Sequence, residues 1–455
     1  MSRRTQFASI LDAALILVIW LGCLALLVHG LRLPVGPFRL SITDPVRYAV
    51  LTAALLGIRL LVWRGRLLPV VDQRVPPAWA IPHLVVSLLF FASIVRAYEP
   101  ANGFTSLIRF GDHFAWRAMP VLRETPHTIV AGGGYDGQFY AQIALDPLLR
   151  TSEIRSAVDS LSYRARRILF PWIAFAAGGG DPWRILQAYA LLNVAVWSMV
   201  GVMMMRWLPV RDAQTAAAWA GCMINFGLLD SVYQSLTDGP SLLLMIAAVI
   251  AMERKRSWGA AAAMAIGLLG RETNLLGSST LVEPSARTPR DLRRLAMQIL
   301  LIALPFCLWL FYLWTRALSL TYVGDENTAL PFVGFAHKWA ITIREMFRGD
   351  AGARSTAFIL LGATIQALVL ASWYGRRSSP WWRLGIVYAA FMFVLGPAVW
   401  DGNPGSFPRI VLPAAFAFNV LLPRNGRFWR LWCLGNAGLL SSIPLLLSRA
   451  GLIAS

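Results

Sequence analysis

Charge is scarce in this chain of 455 residues. Asp, Glu, Lys and Arg make up 14% of it against 57% hydrophobic residues, and the mean hydropathy is +0.57. Apolar runs of ~20 residues, long enough to cross a hydrocarbon core, recur from end to end, which excludes a sizeable soluble domain. Acidic residues are scarcer still, 23 against 42 Lys and Arg, for a formal charge of +19. In a soluble protein that imbalance would suggest nucleic acid. Here the arginines sit in short clusters between apolar runs, so no nucleic-acid partner is expected; orientation in a membrane and attraction to anionic lipids or phosphates explain them better. The four cysteines, Cys23, Cys222, Cys307 and Cys433, lie far apart inside apolar runs. They offer no zinc spacing and no disulfide framework, and read as small core residues. Low-complexity tracts, internal repeats and inverted halves are missing too, which argues against the usual build of a secondary transporter. No cleavable signal is visible, because the first apolar run, 10–31, is too long and lacks a small-residue cleavage site.

What is present reads as an all-α, polytopic membrane protein of about 12–13 transmembrane helices, one domain over 1–455. Arg3 and Arg4 place the N-terminus in the cytoplasm; a second run, 48–63, returns to a basic cluster, and a third, 79–95, crosses outward. Residues 97–166 then form an external segment too long for a simple connector, hence functional. After it, only about a dozen apolar residues follow Arg167, which predicts a half-crossing or re-entrant helix. Spans are expected at 185–205, 216–229 and 242–252, the last closed by the basic ERKR cluster. A span from that cluster carries Arg271 and Glu272 to the far interface, where charged residues mark a site. A span at 297–314 leads to a second external segment, 316–353, with an amphipathic helix. Spans at 356–371, 384–400, 410–422 and 431–447 complete the chain, with Asp401 and Arg409 external. Short tails and economical loops fit a bacterial inner membrane, with the site on its external, periplasmic face.

Glycines, a carboxylate and aromatics crowd together outside an apolar run in AGGGYDGQFYAQIALDPLL, residues 131–149. Gly132, Gly133 and Gly134 permit positive φ and close approach to a ligand, and Asp136 stands on the turn. Tyr140, Ile143, Ala144 and Leu148 recur at helical spacing with Gln138 and Gln142 elsewhere, predicting a helix that lies on the membrane surface. The competing reading of Asp136 is a helix cap, favoured by the dipole. By the topology above, Asp136, Asp230, Asp238, Glu272 and Asp401 share one interface with Arg164, Arg167, Arg271 and Arg409. A carboxylate suits a base, and guanidinium groups match phosphate oxygens bidentately. At membrane depth the phosphate belongs to a lipid.

These residues resemble a family. GYDGQFYAQIA looks like the Asp-bearing first-loop motif of GT-C type glycosyltransferases, in particular mannosyltransferases of the glycosylphosphatidylinositol pathway and their bacterial relatives. Tyr135, Asp136, Gly137, Tyr140, Ile143 and Ala144 match its pattern. RRILFPWIA, NFGLLDSVYQSLTDGPSLLL and GLLGRETNLL resemble the family in order and spacing, so the likeness covers roughly 79–276. It departs where the family often has Tyr-Ser-Glu after Asn-Pro: this chain has Asn225-Phe226 and later Tyr233-Gln234-Ser235, leaving Asp238 as the substitute for that Glu. The resemblance implies a GT-C bundle, a polyprenyl-phosphate sugar donor, a cell-surface glycan or lipid acceptor, and inversion. Asp136 would be the general base. Tyr135, Gln138, Tyr140, Arg164, Arg167, Asp238, Arg271, Glu272, Asp401 and Arg409 would bind substrate. Some relatives use a divalent metal, for which Asp136 and Asp238 are the candidate oxygen ligands.

Two rivals stand beside the enzyme: a transporter or flippase for a lipid-linked glycan, and a non-catalytic subunit of a polysaccharide assembly system. His113 and His127, in the external segment, read as solvated or capping residues. Trp381, Trp382 and Trp429, next to arginines, read as an interfacial belt.

Overall fold

The structure is a computed structural model that describes residues 31–35, 38–42, 80–282, 288–316, 318 and 325–453. The expected spans at 10–31 and 48–63 lie outside the described residues except for Leu31, as do Cys23 and the basic clusters beside those spans. The chain divides into two units, 1–79 with 209–212, and 80–208 with 213–455. In the first, β1 (Leu31–Val35) and β2 (Phe38–Ile42) form an antiparallel hairpin pairing Leu31 with Ile42. Phe38, Leu40 and Ile42 alternate with Arg39 and Ser41, the period of a strand rather than of a helix.

The second unit is mostly helical. It opens with α1 (Ile81–Arg96), followed by an irregular stretch held by a two-residue parallel pairing of β3 (Phe110–Gly111) and β4 (Ile129–Val130). Helix α2 (Gly137–Leu145) packs against α3 (Leu169–Gly178) and α4 (Pro182–Met204). Helix α3 has ten residues, ~15 Å at 1.5 Å per residue, and ends where Gly179 turns left-handed at φ 60°. It is the short element expected after Arg167.

The expected span 216–229 is two helices, α5 (Ala213–Met223) and α6 (Phe226–Tyr233). Asn225 breaks it by accepting a hydrogen bond from Gly227 N at 2.9 Å, as an N-cap does. Next, α7 (Asp238–Glu253) pairs with α8 (Ser257–Gly270), after which Arg271 is extended and residues Glu272–Leu281 run as a 3-10 helix against α8. Helix α9 (Pro289–Thr315) starts with a capping box between Thr288 and Asp291. Leu300, Leu304, Leu308, Phe311 and Trp314 are exposed on α9, whereas it buries Gln298, Ile302 and Leu313.

The amphipathic helix expected in the second external segment is α10 (Val333–Phe347), and it packs on α11 (Ala351–Ser372). The run expected at 384–400 is broken: α12 (Pro380–Met392) ends in a turn, and a separate four-residue helix follows at Pro397–Trp400. The last layers are α13 (Phe407–Ile410), α14 (Leu412–Leu421), α15 (Phe428–Gly435) and α16 (Leu439–Arg449). Among the described residues, α4, α9 and α11 are long and apolar enough to cross a membrane. The pair α15 and α16, bent by 65°, makes a fourth if taken as one broken span. The other apolar runs are helices of 10–17 residues, such as α1, α3, α8 and α14.

Three sequence expectations are corrected here. Helix α2 does not lie on a surface: residues 137–144 are all buried, because Gln138 and Gln142 satisfy their amides internally. Gln142 accepts from Met119 N at 3.0 Å and donates to Ala157 O at 3.1 Å. Trp381 and Trp382 are core residues rather than a belt, since Trp381 packs edge-on against Trp207 and Trp382 Nε1 donates to Leu370 O. Cys222 is buried as expected, but Cys307 and Cys433 are exposed on apolar helices.

Candidate functional site

In the glycine-rich turn before α2, Gly134 and Gly137 are pressed against other backbone, whereas Gly132, at φ 87°, faces open space. Gly134, at φ 64°, lies so close to Arg109 O and Gly111 N that a Cβ would overlap both, and Gly137 is pressed in the same way against Gln234 O. Gln138 locks this arrangement from beneath. Its Oε1 accepts from Gly111 N at 3.0 Å and its Nε2 donates to Gly133 O at 2.7 Å. Gln138 therefore lies under the turn and not on the cavity, because both ends of its amide are spent on backbone.

Held this way, Asp136 occupies the N-cap position of α2 but makes no capping hydrogen bond. Its Oδ1 accepts from Arg164 Nη2 at 2.8 Å instead, and 40% of its side chain stays open to the cavity. The cap reading is thereby replaced by an ion pair. Burial pushes the carboxyl pKa up, but the Arg164 guanidinium, with Arg409 and Arg167 behind it, outweighs burial and holds it below the ordinary value.

Four arginines meet around this carboxylate. Arg164 also reaches Asp159 through two bonds, Nε to Oδ1 at 3.1 Å and Nη2 to Oδ2 at 2.8 Å. Arg167 donates from Nε to Glu272 Oε2 at 2.9 Å, from Nη1 to Tyr140 OH at 2.8 Å and from Nη2 to Tyr163 OH at 2.6 Å. Arg271 pairs with Asp238, and its Nε donates to Thr273 Oγ1. Arg409 Nη2 donates to Tyr135 OH at 2.9 Å, with Arg409 Nε 3.4 Å from Asp230 Oδ2. That Nε is buried and makes no hydrogen bond, and Glu272 Oε1 is in the same condition. A buried polar atom without a hydrogen bond costs ~1–3 kcal/mol, which for Arg409 Nε is offset by its ion-pair contact with Asp230.

These groups line one cavity of about 560 Å³. Asp136, Tyr140, Arg164, Arg167, Asp238, Arg271, Glu272 and Arg409 of the expected set are all on its wall, brought there from the turn before α2, the loop before α3, the start of α7, the end of α8 and α13. Tyr135 sits behind Arg409 and is oriented by it. Asp401 is elsewhere: at the C-cap of the short helix Pro397–Trp400, it lines a neighbouring cavity of about 480 Å³ with Lys338 and Glu345. His113 is solvent-exposed 3.7 Å from Asp112, and His127 Nδ1 bonds Thr125 O, as expected of loop histidines.

Sequence reasoning missed Asp159, Tyr163 and Arg166, which also line the cavity. Tyr163 and Arg166 stand inside YRARR beside the expected arginines. Asp159 precedes it by four residues, where a carboxylate before a short helix reads as a cap; it does accept from Ser160 N at 2.7 Å. The wall carries five arginines against four carboxylates, close to neutral, and Leu236, Phe391, Leu395, Val399 and Ile410 give it an apolar side. Asp230, just outside, differs from Asp136: burial raises its pKa further than Arg409 lowers it. No group of three or more His, Cys, Asp or Glu side chains among the described residues is close enough to hold a metal ion, so the suggested pair Asp136 and Asp238 finds no third ligand there. No family model, curated protein or solved structure matches the chain.

Proposed function

We propose that this chain is a polytopic membrane glycosyltransferase of GT-C type. On this reading it moves a sugar from a polyprenyl-phosphate donor to a cell-surface glycan or lipid acceptor, at the external face of a bacterial inner membrane. One observation carries the reading: carboxylates and arginines from positions 136 to 409, each too costly to bury alone, line the same cavity. The long apolar helices, above all the exposed apolar side of α9, supply the membrane setting in which such a phosphate is a lipid's.

In this mechanism Asp136, on the cavity wall, is ionised at neutral pH, with Oδ1 engaged by Arg164 and Oδ2 left to act as the base. Oδ2 takes the proton of an acceptor hydroxyl as that oxygen attacks the anomeric carbon from the face opposite the lipid phosphate. The sugar–phosphate C–O bond breaks with inversion, and its electron pair leaves on the phosphate. Arg271 and Arg409, both on the cavity wall, would stabilise that charge. Arg164 and Arg167 are fully engaged with carboxylates and phenols, and position Asp136 and Tyr140. The test is transfer of labelled sugar from a polyprenyl-phosphate donor by purified full-length protein, comparing wild type with Asp136→Asn. Loss of transfer with donor binding retained supports the reading; equal transfer overturns it.

A further inference from the structure

Four of the five arginines of the central cavity pair with carboxylates, whereas Arg96 and Arg449 do not. Arg96, in the last turn of α1, and Arg449, in the last turn of α16, line a separate groove of about 660 Å³ with Ser93, Leu445 and Ser448 and no acidic residue. Neither guanidinium has a hydrogen-bond or ion-pair partner among the described residues. A third, Arg109, adds its positive charge to the field at Arg449, and the carboxylate acting there, Asp230, is already engaged by Arg409.

Both guanidinium groups are held in place. Arg449 lies over the Tyr233 ring at 5.5 Å, and Tyr233 OH donates to Ser93 Oγ at 2.8 Å while Ser93 Oγ donates to Phe90 O at 2.6 Å. Arg96 packs on the turn that ends α16, where Gly451 at φ 77° leaves no Cβ to displace its guanidinium. Two fixed like charges without a counter-ion are costly, and their fork geometry matches phosphate. The rest of the groove wall is mostly apolar, formed by Ala97, Pro444, Leu445 and Ile453.

We infer that this groove binds an anionic phospholipid, its phosphate between Arg96 and Arg449 and the start of an acyl chain against Pro444, Leu445 and Ile453. The inference rests on the membrane setting proposed above, not on the transferase chemistry. An unpaired basic pair beside an apolar groove wall fits an amphiphile better than a free anion, which would leave that wall uncovered.

Native mass spectrometry of the full-length protein in neutral detergent tests it, with phosphatidylglycerol and phosphatidylcholine as probes. Wild type and Asp136→Asn are expected to retain phosphatidylglycerol equally and to prefer it to phosphatidylcholine. Arg96→Gln with Arg449→Gln should weaken retention on the order of a hundredfold, about tenfold per arginine. If the double variant fails to fold, Arg96→Gln alone, at an exposed side chain, should show the tenfold loss. Equal retention of the two lipids, retention unaffected by the arginine variants, or displacement of phosphatidylglycerol by inorganic phosphate at equal concentration would each overturn the inference. A protein that purifies without detergent would sink the membrane setting itself. A wild type that shows no lipid selectivity while Asp136-dependent transfer is intact would sink this site alone.

Discussion

Replacing Asp136 with Asn probes the proposed chemistry with little disturbance of its frame. The amide oxygen can still accept from Arg164, whose other two bonds, to Asp159, are untouched. The ion pair lost is open to the cavity over 40% of the Asp136 side chain, so solvent screening limits its stabilisation to ~0–1 kcal/mol. Tm in detergent should therefore fall by only a few degrees. Removing a general base costs typically ~10²–10⁴-fold in rate, or about 3–5 kcal/mol of transition-state stabilisation at 1.36 kcal/mol per decade. The expected outcome is a folded protein that binds donor but transfers sugar at least about a hundredfold more slowly, measured with a radiolabelled polyprenyl-phosphate sugar. A folded variant transferring within about threefold of wild type would show that Asp136 is not the base. The same variant separates the rivals: a flippase would keep moving lipid, and a structural subunit would still support surface glycan.

Further outcomes follow from individual contacts. Asp136 has a folded pKa below its unfolded ~3.9, so its contribution to stability is complete above that value and is lost as pH falls through the folded pKa. The transfer rate should consequently show no acid limb from Asp136 between pH 8 and about pH 5; a limb centred above about pH 5 would contradict the assignment. Gly134→Ala forces a side chain into φ 64° and onto Arg109 O, and should cost ~2 kcal/mol or more, read as a lower Tm; an unchanged Tm would mean that the turn relaxes. Arg167→Leu strands Glu272 and two phenols and should destabilise by ~3–5 kcal/mol, with part regained in the double variant Arg167→Leu with Glu272→Leu. Asp401→Asn, on the neighbouring cavity, should leave transfer within about threefold of wild type; a large loss would show that the two cavities act together.

What was legible in the sequence follows from cost. Arg271 with Glu272 at the end of an apolar helix, and Arg409 at the head of another, are expensive unless partnered, so their presence announced a polar meeting point before any geometry was known. Which carboxylate serves which arginine was not legible, because pairs such as Arg167 with Glu272 join positions 105 residues apart. Local patterns also misled where a tertiary contact outweighed them. The glutamines of α2 looked like the polar side of a surface helix, but their amides are satisfied by Gly111, Gly133, Met119 and Ala157 inside the protein. Apolar length overstated continuity for a related reason: Asn225 caps a new helix in the middle of an apolar run, and hydropathy does not register a cap.

The central claim is that the cavity of Asp136 and the four arginines holds the phosphate of a lipid-linked sugar. Electron cryo-microscopy of the full-length protein with a polyprenyl-phosphate sugar tests it most directly. The account predicts phosphate density within hydrogen-bond reach of Arg409 and Arg271, with the sugar facing Asp136 Oδ2. Density for the headgroup at any other place, with this cavity empty, would contradict it.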